Sequence, residues 1–231
     1  MKNAIILCSG GMDSVVTAFY VKKLRNYEKL KILFFNYGQR SLKPERKASK
    51  LCAEELNANF IEIDIKEISN ISNSLINVEI AHKKLEKEDL KNTKEESKNW
   101  YVPCRNLIFL SYSLALAESL DIREKNKYDI FTGFKNDGKE CFPDATQKFV
   151  NLINKISYES TFGKYKVIAP LIKKDKEDII LLGKKLGVNL EKTCSCYTSS
   201  EKHCGTCLAC MLRKEGFYWA NVEDKTKYKE F

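Results

Sequence analysis

The sequence contains no long hydrophobic run, no internal repeat and no low-complexity tract. Its N-terminal apolar run extends only from Ala4 to Cys8, where Ser9 and two glycines interrupt it. A membrane-spanning helix needs about 20 apolar residues, and a signal peptide needs an uninterrupted apolar core. We therefore expect neither a membrane anchor nor a signal peptide, and we expect a cytoplasmic protein.

Two common nucleotide-binding patterns are also missing. The chain has neither the G-x-x-x-x-G-K-[ST] phosphate loop nor the G-x-G-x-x-G fingerprint of dinucleotide folds. It lacks the interleaved aromatic and basic residues that bind single-stranded nucleic acid. The net charge is +9, but lysines alternate with acidic residues in stretches such as 83–98, which is typical of a solvated face. We do not expect a polynucleotide partner.

Short apolar runs alternate with longer amphipathic stretches along the chain. The 231 residues are 43% hydrophobic, which suits one large domain or a domain with an appendage. The alternation predicts an α/β fold with a parallel sheet flanked by helices. The predicted strands are 4–7, 32–35, 59–64, 129–133 and 167–169, and the predicted helices are 13–24, 44–56, 107–120 and 176–186, the last capped by Asp175.

A charged segment interrupts this alternation between about residues 66 and 99. The apolar period weakens there, and residues 83–98 are almost entirely charged or amide-bearing. Such a stretch is typical of an insertion or a mobile lid. We expect an α/β domain of residues 1–190 that carries this insertion, followed by a C-terminal module of residues 191–231.

The first predicted strand is followed directly by Ser9-Gly10-Gly11-Met12-Asp13-Ser14 and then by the first helix. Two glycines permit a tight turn whose backbone N–H groups approach an anion, and the start of a helix attracts negative charge. Ser9 and Ser14 supply hydroxyl donors, while Asp13 could bind Mg²⁺ or orient the loop. We interpret the segment as a phosphate-binding loop; the alternative is a plain turn with a helix cap.

Five of the nine cysteines crowd into one C-terminal segment. Cys204, Cys207 and Cys210 form two overlapping C-x-x-C hooks, whose thiolates can turn toward one metal ion. A fourth sulfur from Cys194 or Cys196 would close a tetrahedral shell, which is the typical pattern of structural Zn²⁺. The histidine before Cys204 is a further candidate ligand, and an iron–sulfur cluster would use similar residues.

Further motifs connect the phosphate loop with the cysteines. The sequence reads Asn36-Tyr37-Gly38-Gln39-Arg40, then Pro103-Cys104-Arg105-Asn106, then Pro170-Leu171 followed by Lys176. The C-terminal motifs are Thr193-Cys194-Ser195-Cys196-Tyr197, Cys204-Gly205-Thr206-Cys207-Leu208-Ala209-Cys210 and Arg213. Together with the S-G-G-x-D-S loop, these motifs resemble, nearly end to end, those of the 7-cyano-7-deazaguanine synthase (QueC) family of PP-loop N-type ATP pyrophosphatases.

The resemblance implies an ATP-dependent carbon–nitrogen ligase of queuosine biosynthesis. In that family, 7-carboxy-7-deazaguanine is adenylated by ATP, joined to ammonia, and dehydrated with further ATP to 7-cyano-7-deazaguanine. The implied partners are thus a small deazapurine acid and ammonia. The implied cofactors are Mg²⁺ for the ATP chemistry and a structural Zn²⁺ in the C-terminal module.

The resemblance also assigns site residues. It selects Cys196 over Cys194, so the expected metal ligands are Cys196, Cys204, Cys207 and Cys210. The residues expected to bind ATP are Leu7, Ser9, Gly10, Gly11, Asp13 and Ser14, and the expected catalytic residues are Asp13, Ser14 and Lys176. The residues expected to bind substrate are Tyr37, Gln39, Arg40, Arg105, Asn106, Phe142 and Asp144. Either arginine could recognise the substrate carboxylate.

One segment departs from the family pattern. The family carries D-x-S-G-Y-P-D-C-R where residues 137–146 of this chain read D-G-K-E-C-F-P-D-A-T. A paralogue that stops at the amide, or that joins the acid to another amine such as a protein N-terminus, is therefore an alternative. A tRNA-modifying PP-loop enzyme is a second alternative, and the sequence leaves a homodimer open.

Overall fold

A five-stranded parallel sheet forms the centre of the protein. The computed structural model describes residues 2–135, 142–198 and 202–229. The strands are β1 Asn3–Leu7, β2 Lys29–Asn36, β3 Asn59–Asp64, β4 Tyr128–Phe131 and β5 Val167–Ile168. Their order is β3-β2-β1-β4-β5, and every pair is parallel. The predicted α/β fold is confirmed.

Seven α-helices surround this sheet in the described ranges. They are α1 Met12–Leu24, α2 Leu42–Glu55, α3 Lys94–Asn99, α4 Arg105–Glu124, α5 Gln147–Ser160, α6 Lys176–Lys185 and α7 Leu208–Trp219. Within the part of the chain that the structure describes, none of these helices has the length and apolar character that crossing a membrane requires.

Alternate strand residues enter two hydrophobic cores, one on each face of the sheet. Ile5 belongs to a core with residues of α4 and α5, whereas Ile6 belongs to a core with residues of α1, α2 and α6. Burial on both faces explains why β1 and β2 contain nearly continuous apolar runs. Cys207 and neighbouring C-terminal residues join the first core, and the domain boundary near residue 190 stays a prediction.

The sequence pattern predicts neither α5 nor α7. Thr146 caps α5, because its Oγ1 accepts a hydrogen bond from Phe149 N at 3.0 Å. Since α7 begins immediately after Cys207 and contains Cys210, the metal-type cysteine spacing obscures its helical pattern. Asp175 occupies the N-cap position of α6 as predicted, but its side chain makes no capping hydrogen bond.

The charged segment of residues 66–99 contacts the C-terminal part of the chain. It contains α3 and two 3₁₀ helices, Lys66–Ile71 and Lys87–Lys91. Leu85 N donates to Thr206 O at 3.0 Å. The buried ring of Trp100, directly after α3, lies 4.8 Å from that of Tyr197. These contacts hold the segment beside the cysteine cluster.

Arg213 of α7 is fully buried, and its guanidinium joins three segments near the C-terminus. It donates to Leu190 O at 2.7 Å, to Thr193 Oγ1 at 2.8 Å and to Ser195 Oγ at 3.0 Å. Its Nε donates to Asp224 Oδ2 at 3.3 Å. A buried charge is tolerated only when it is paired and hydrogen-bonded, so these contacts are part of the fold.

We expect Arg213→Met to lower the free energy of unfolding by about 3–5 kcal/mol, because it leaves the Asp224 charge without its buried partner. Chemical denaturation measures the change. Arg46→Met is the matched control, because Arg46 forms a partly exposed pair with Glu62 at 2.6 to 3.0 Å, and such pairs contribute about 0–1 kcal/mol. Equal losses in the two variants would contradict a special role for Arg213.

Candidate active site

The carboxyl ends of β1 and β4 lie side by side at the centre of the sheet, where the strand order changes direction. Ligands of open α/β sheets bind in the crevice at such a switch point. A cavity of about 630 Å³ opens there, and Ser9 and Gly11 after β1 line it together with Thr132 and Gly133 after β4. This cavity is the candidate ligand site.

Gly10 within the loop after β1, and Gly133 after β4, allow this loop to lie close to neighbouring backbone. Gly10 has a φ of +77°, and a Cβ atom there would lie 2.5 Å from Glu45 O. A Cβ atom on Gly133 would lie 2.8 Å from Ser14 N. Cys194 N also donates to Gly10 O at 2.8 Å. The loop is therefore held by α2, by the end of β4 and by the segment before the cysteine cluster.

Gly11 differs, because neither its backbone nor its packing demands glycine. Its φ is −68°, and a Cβ atom would meet Ser9 Oγ at 3.2 Å and Cys194 O at 3.5 Å. Gly11 is the N-cap of α1, and the first N–H groups of a helix have no partner within that helix. The missing side chain leaves room beside these donors, so the loop fits a phosphate group.

The other residues predicted to bind ATP gather around this loop. Leu7, Ser9, Asp13 and Ser14 line the cavity, and the hydroxyl oxygens of the two serines are 3.4 Å apart. Ser14 Oγ donates to Gly11 O at 2.9 Å. The structure thus brings together the predicted loop residues, with Gly10 packed behind them against α2.

Asp13 and Lys176 form an ion pair beside the loop. Lys176 Nζ lies 2.8 Å from each carboxylate oxygen of Asp13, and both residues line the cavity. Gly216 of α7 backs the lysine stem, because a Cβ atom there would lie 2.3 Å from Lys176 Cγ. The pair supplies a cation for phosphate and a carboxylate of the kind that binds Mg²⁺.

Arg105, the first residue of α4, lines the same cavity and forms no ion pair with any carboxylate of the described residues. It donates to Tyr37 Oη at 3.3 Å and to Asn106 Oδ1 at 3.4 Å. It also lies over the Tyr37 and Phe109 rings, 5.5 and 5.9 Å from their centres. Burial raises the pKa of Tyr37 to about 12, so the phenol is neutral. The guanidinium is therefore oriented, and no carboxylate of the described residues lies within ion-pair distance of it.

Arg40, the other arginine predicted to bind substrate, is placed differently. Its Nη1 donates to the carbonyl oxygens of Leu75, Val78 and Ile80 at 3.1 to 3.4 Å. Arg40 is not among the residues that line the cavity in the described part of the chain. Its guanidinium fastens the charged segment to the turn after β2.

Asp144 caps α4. Its Oδ2 accepts from Asn106 N at 3.1 Å, and Asn106 Nδ2 donates to Asp144 O at 3.1 Å. Asn106, Gln39 and Phe142 line the cavity, whereas Asp144 is not among its described lining residues. The second carboxylate oxygen of Asp144 is buried and has no hydrogen-bond partner among the described residues. Residues 137–141, which carry most of the departure from the family pattern, lie outside the described residues.

Glu45, in the first turn of α2, is a cavity-lining acid that the sequence does not single out. Ser41 Oγ donates to its Oε1 at 2.5 Å, and Gln39 Nε2 donates to its Oε2 at 3.0 Å. Burial raises the pKa of Glu45 to about 7. In the sequence, Glu45 is only an acid in the first turn of a predicted helix, which is a common feature.

Cys196, Cys204, Cys207 and Cys210 form a buried cluster whose sulfur atoms lie within 4.8 Å of one another. Cys204 N donates to Cys196 Sγ and Cys207 N donates to Cys204 Sγ, both at 3.3 Å. Such N–H···S contacts stabilise negative charge on sulfur. The cluster could therefore hold a metal ion.

The other candidate ligands lie outside this cluster. Cys194 is buried, and its backbone supports the phosphate loop instead. His203 Nε2 accepts a hydrogen bond from Ser195 N at 3.2 Å, and burial lowers the pKa of His203 to about 4. His82, which the sequence does not single out, lies with Nε2 3.8 Å from Cys204 Sγ.

Comparisons with known proteins agree with this geometry. The family described as queuosine biosynthesis protein QueC matches residues 3–221. The 7-cyano-7-deazaguanine synthase of Methanocaldococcus jannaschii is 39% identical, over 98% of this chain and 99% of its own length. The synthases of Methanococcus maripaludis strain C6 and of Nitratiruptor sp. are each 38% identical, over 97% and 98% of this chain and 98% of their own lengths. With a phosphate loop, a four-cysteine cluster and a match along nearly its whole length, the chain belongs to the QueC family.

Proposed function

We propose that this chain is a carbon–nitrogen ligase that adenylates 7-carboxy-7-deazaguanine with ATP and converts it with ammonia to 7-cyano-7-deazaguanine. Family membership and the names of the relatives support this proposal. The observation that carries it is the guanidinium of Arg105, which forms no ion pair with the described carboxylates and lines the same cavity as the phosphate loop. An acid substrate and ATP can therefore meet in one site.

Adenylation requires the substrate carboxylate to attack the α-phosphate while pyrophosphate leaves. In our proposal, the N–H groups at the start of α1 and the hydroxyls of Ser9 and Ser14 hold this pyrophosphate. Lys176 offsets the charge that develops on it, and Mg²⁺ held by Asp13 would add further positive charge when bound. Catalysis of this type depends mainly on positioning and electrostatic stabilisation.

Arg105 would orient the acid through paired hydrogen bonds to its carboxylate, since a guanidinium matches two carboxylate oxygens. The Tyr37 and Phe109 rings lie beside the guanidinium, and among the described residues its hydrogen bonds use Nη1 and Nε. Asn106, Gln39 and Phe142 line the same cavity and are our candidates for contacts with the deazapurine ring. Roles for Arg40 and Asp144 toward the substrate stay predictions.

Product analysis separates this function from its alternatives, neither of which has support of its own in the described residues. Mass spectrometry of a reaction with acid, ATP and ammonia should detect the nitrile. An amide or a protein adduct in its place would identify a paralogue. AMP formation that is indifferent to the acid and stimulated by tRNA would identify a tRNA-modifying enzyme. The cytoplasmic location and the homodimer also stay predictions.

We expect Asp13→Asn to lower acid-dependent exchange of labelled pyrophosphate into ATP by about 10²–10³-fold, because the variant removes a charge that positions Lys176 and can bind Mg²⁺. Asp178→Asn is the matched control, because Asp178 is exposed on α6 and does not line the cavity. ADP and phosphate as the only products from ATP would exclude the proposed role of the loop.

We expect Arg105→Lys to weaken use of the acid by about 1.5–3 kcal/mol in kcat/KM, because an ammonium group cannot reproduce a two-pronged contact with carboxylate. Steady-state kinetics with varied acid at saturating ATP measure the loss. Arg40→Lys should lower kcat/KM for the acid less than Arg105→Lys does, since the Arg40 guanidinium binds backbone carbonyls. A larger loss in Arg40→Lys would move the carboxylate site to Arg40.

The cysteine cluster fits Zn²⁺, which prefers a closed tetrahedral shell of four thiolates in structural sites. We expect purified protein to contain about one Zn²⁺ per chain, as four-thiolate sites bind a single ion. Elemental analysis should show loss of metal in Cys196→Ser and retention in Cys194→Ser. Iron with visible charge-transfer bands, or the reverse behaviour of the two variants, would contradict this assignment.

A further inference from the structure

Glu45 occupies a position that the adenylation chemistry does not use. It lines the cavity, and its backbone carbonyl contacts the phosphate loop at Gly10. Charged and titratable groups from three other elements face its carboxyl group: Arg105 of α4, Tyr37 of the turn after β2, and Cys194 before the cysteine cluster. The backbone of Glu45 therefore contacts the loop that would hold ATP, and its carboxyl group faces the arginine that would hold the acid.

Amide formation releases a proton inside this cavity. When ammonia attacks an acyl adenylate, the nitrogen acquires a positive charge and must lose a proton before the amide is stable. A general base is effective when its pKa lies near the operating pH. Of the groups assigned to adenylation, Lys176 is a cation and Asp13 is paired with it, so neither is suited to be this base.

We propose that Glu45 is the general base of amide formation in this enzyme, an inference that rests on the function proposed above. The nitrogen of ammonia forms a bond to the acyl carbon. The bond from that carbon to the adenylate oxygen breaks, and AMP leaves with the electron pair. One proton moves from the nitrogen to a carboxylate oxygen of Glu45 and is then released to solvent. The products are the amide, AMP and one proton.

The environment of Glu45 suits this role. Burial raises its pKa to about 7, while the hydrogen bonds from Ser41 and Gln39 favour the charged form. The carboxyl group therefore exchanges a proton readily near neutral pH. Each oxygen accepts one hydrogen bond and has a second lone pair available, so the contacts with Ser41 and Gln39 orient the base without blocking it.

The competing interpretation is that Glu45 only braces the turn that carries Tyr37. Gln39 supports this view, because it joins Glu45 to Tyr37 N through a 2.9 Å hydrogen bond to its own Oε1. A brace would influence adenylation and amide formation alike. A base would influence amide formation alone and would set its pH dependence, so the two half-reactions separate the interpretations.

We expect Glu45→Gln to preserve acid-dependent pyrophosphate exchange while lowering the rate at which the enzyme-bound adenylate reacts with ammonium chloride by about 10²-fold or more. Rapid-quench mixing measures the second rate. In the wild-type enzyme this rate, compared at a constant concentration of unprotonated ammonia, should fall as pH drops through about 7, because protonated Glu45 cannot accept a proton. Glu45→Gln should lack this pH dependence, and Glu45→Asp should retain it.

Hydroxylamine provides a second readout, because it is neutral near pH 7 and attacks acyl adenylates with little need for a base. The variant should therefore form hydroxamate at nearly the wild-type rate. Glu55→Gln, an exposed acid on the same helix, is the matched control and should behave as wild type in every assay.

Three results would overturn the proposal. Glu45→Gln could lose exchange and amide formation together, which would identify a brace. The variant could keep exchange and amide formation at the wild-type rates. Its amide formation could also keep the fall in rate below about pH 7. If the wild-type enzyme shows no acid-dependent exchange, the proposed function itself fails. That outcome is distinct, because it is seen before any variant is tested.

Discussion

The close contact between Gly10 and the first turn of α2 determines how the active site is assembled. A side chain at Gly10 would meet Glu45 O at 2.5 Å and Ser49 N at 2.9 Å, so α2 can approach the loop only because a glycine is present. Ser49 Oγ also donates to Cys8 O at 2.8 Å, which joins the same helix to the end of β1. Moving α2 outward would carry Glu45 away from Gln39, which accepts a hydrogen bond from Tyr37 N, and Tyr37 supports Arg105.

Three arginines show how context decides the role of one residue type. Arg213 is fully buried, and its guanidinium donates hydrogen bonds to protein acceptors, so it stabilises the fold. Arg40 binds three backbone carbonyls and fastens the charged segment. Arg105 is held largely by aromatic faces and neutral oxygens, and it therefore remains available to an anion.

The sequence predicts those features whose signals are local. Strand β3 has the predicted limits 59–64, and Lys176 begins α6 as expected, because apolar periods and helix starts are encoded within a few residues. The phosphate loop is predictable for the same reason. Glu45 and the different roles of Arg40 and Arg105 are not, since each depends on partners from distant segments. The sequence does not predict helix α7, because Cys207 at its N-cap and Cys210 in its first turn have the spacing of metal ligands.

The hydrogen bond from Cys194 N to Gly10 O has a consequence for the order in which the protein is made. The phosphate loop leaves the ribosome long before Cys194, which lies 184 positions after Gly10. Contacts between such distant residues form slowly, because a long loop must close first. A nascent chain that stops before Cys194 thus has the loop sequence without the hydrogen bond that holds it. The candidate site is therefore completed only after Cys194 has been synthesised.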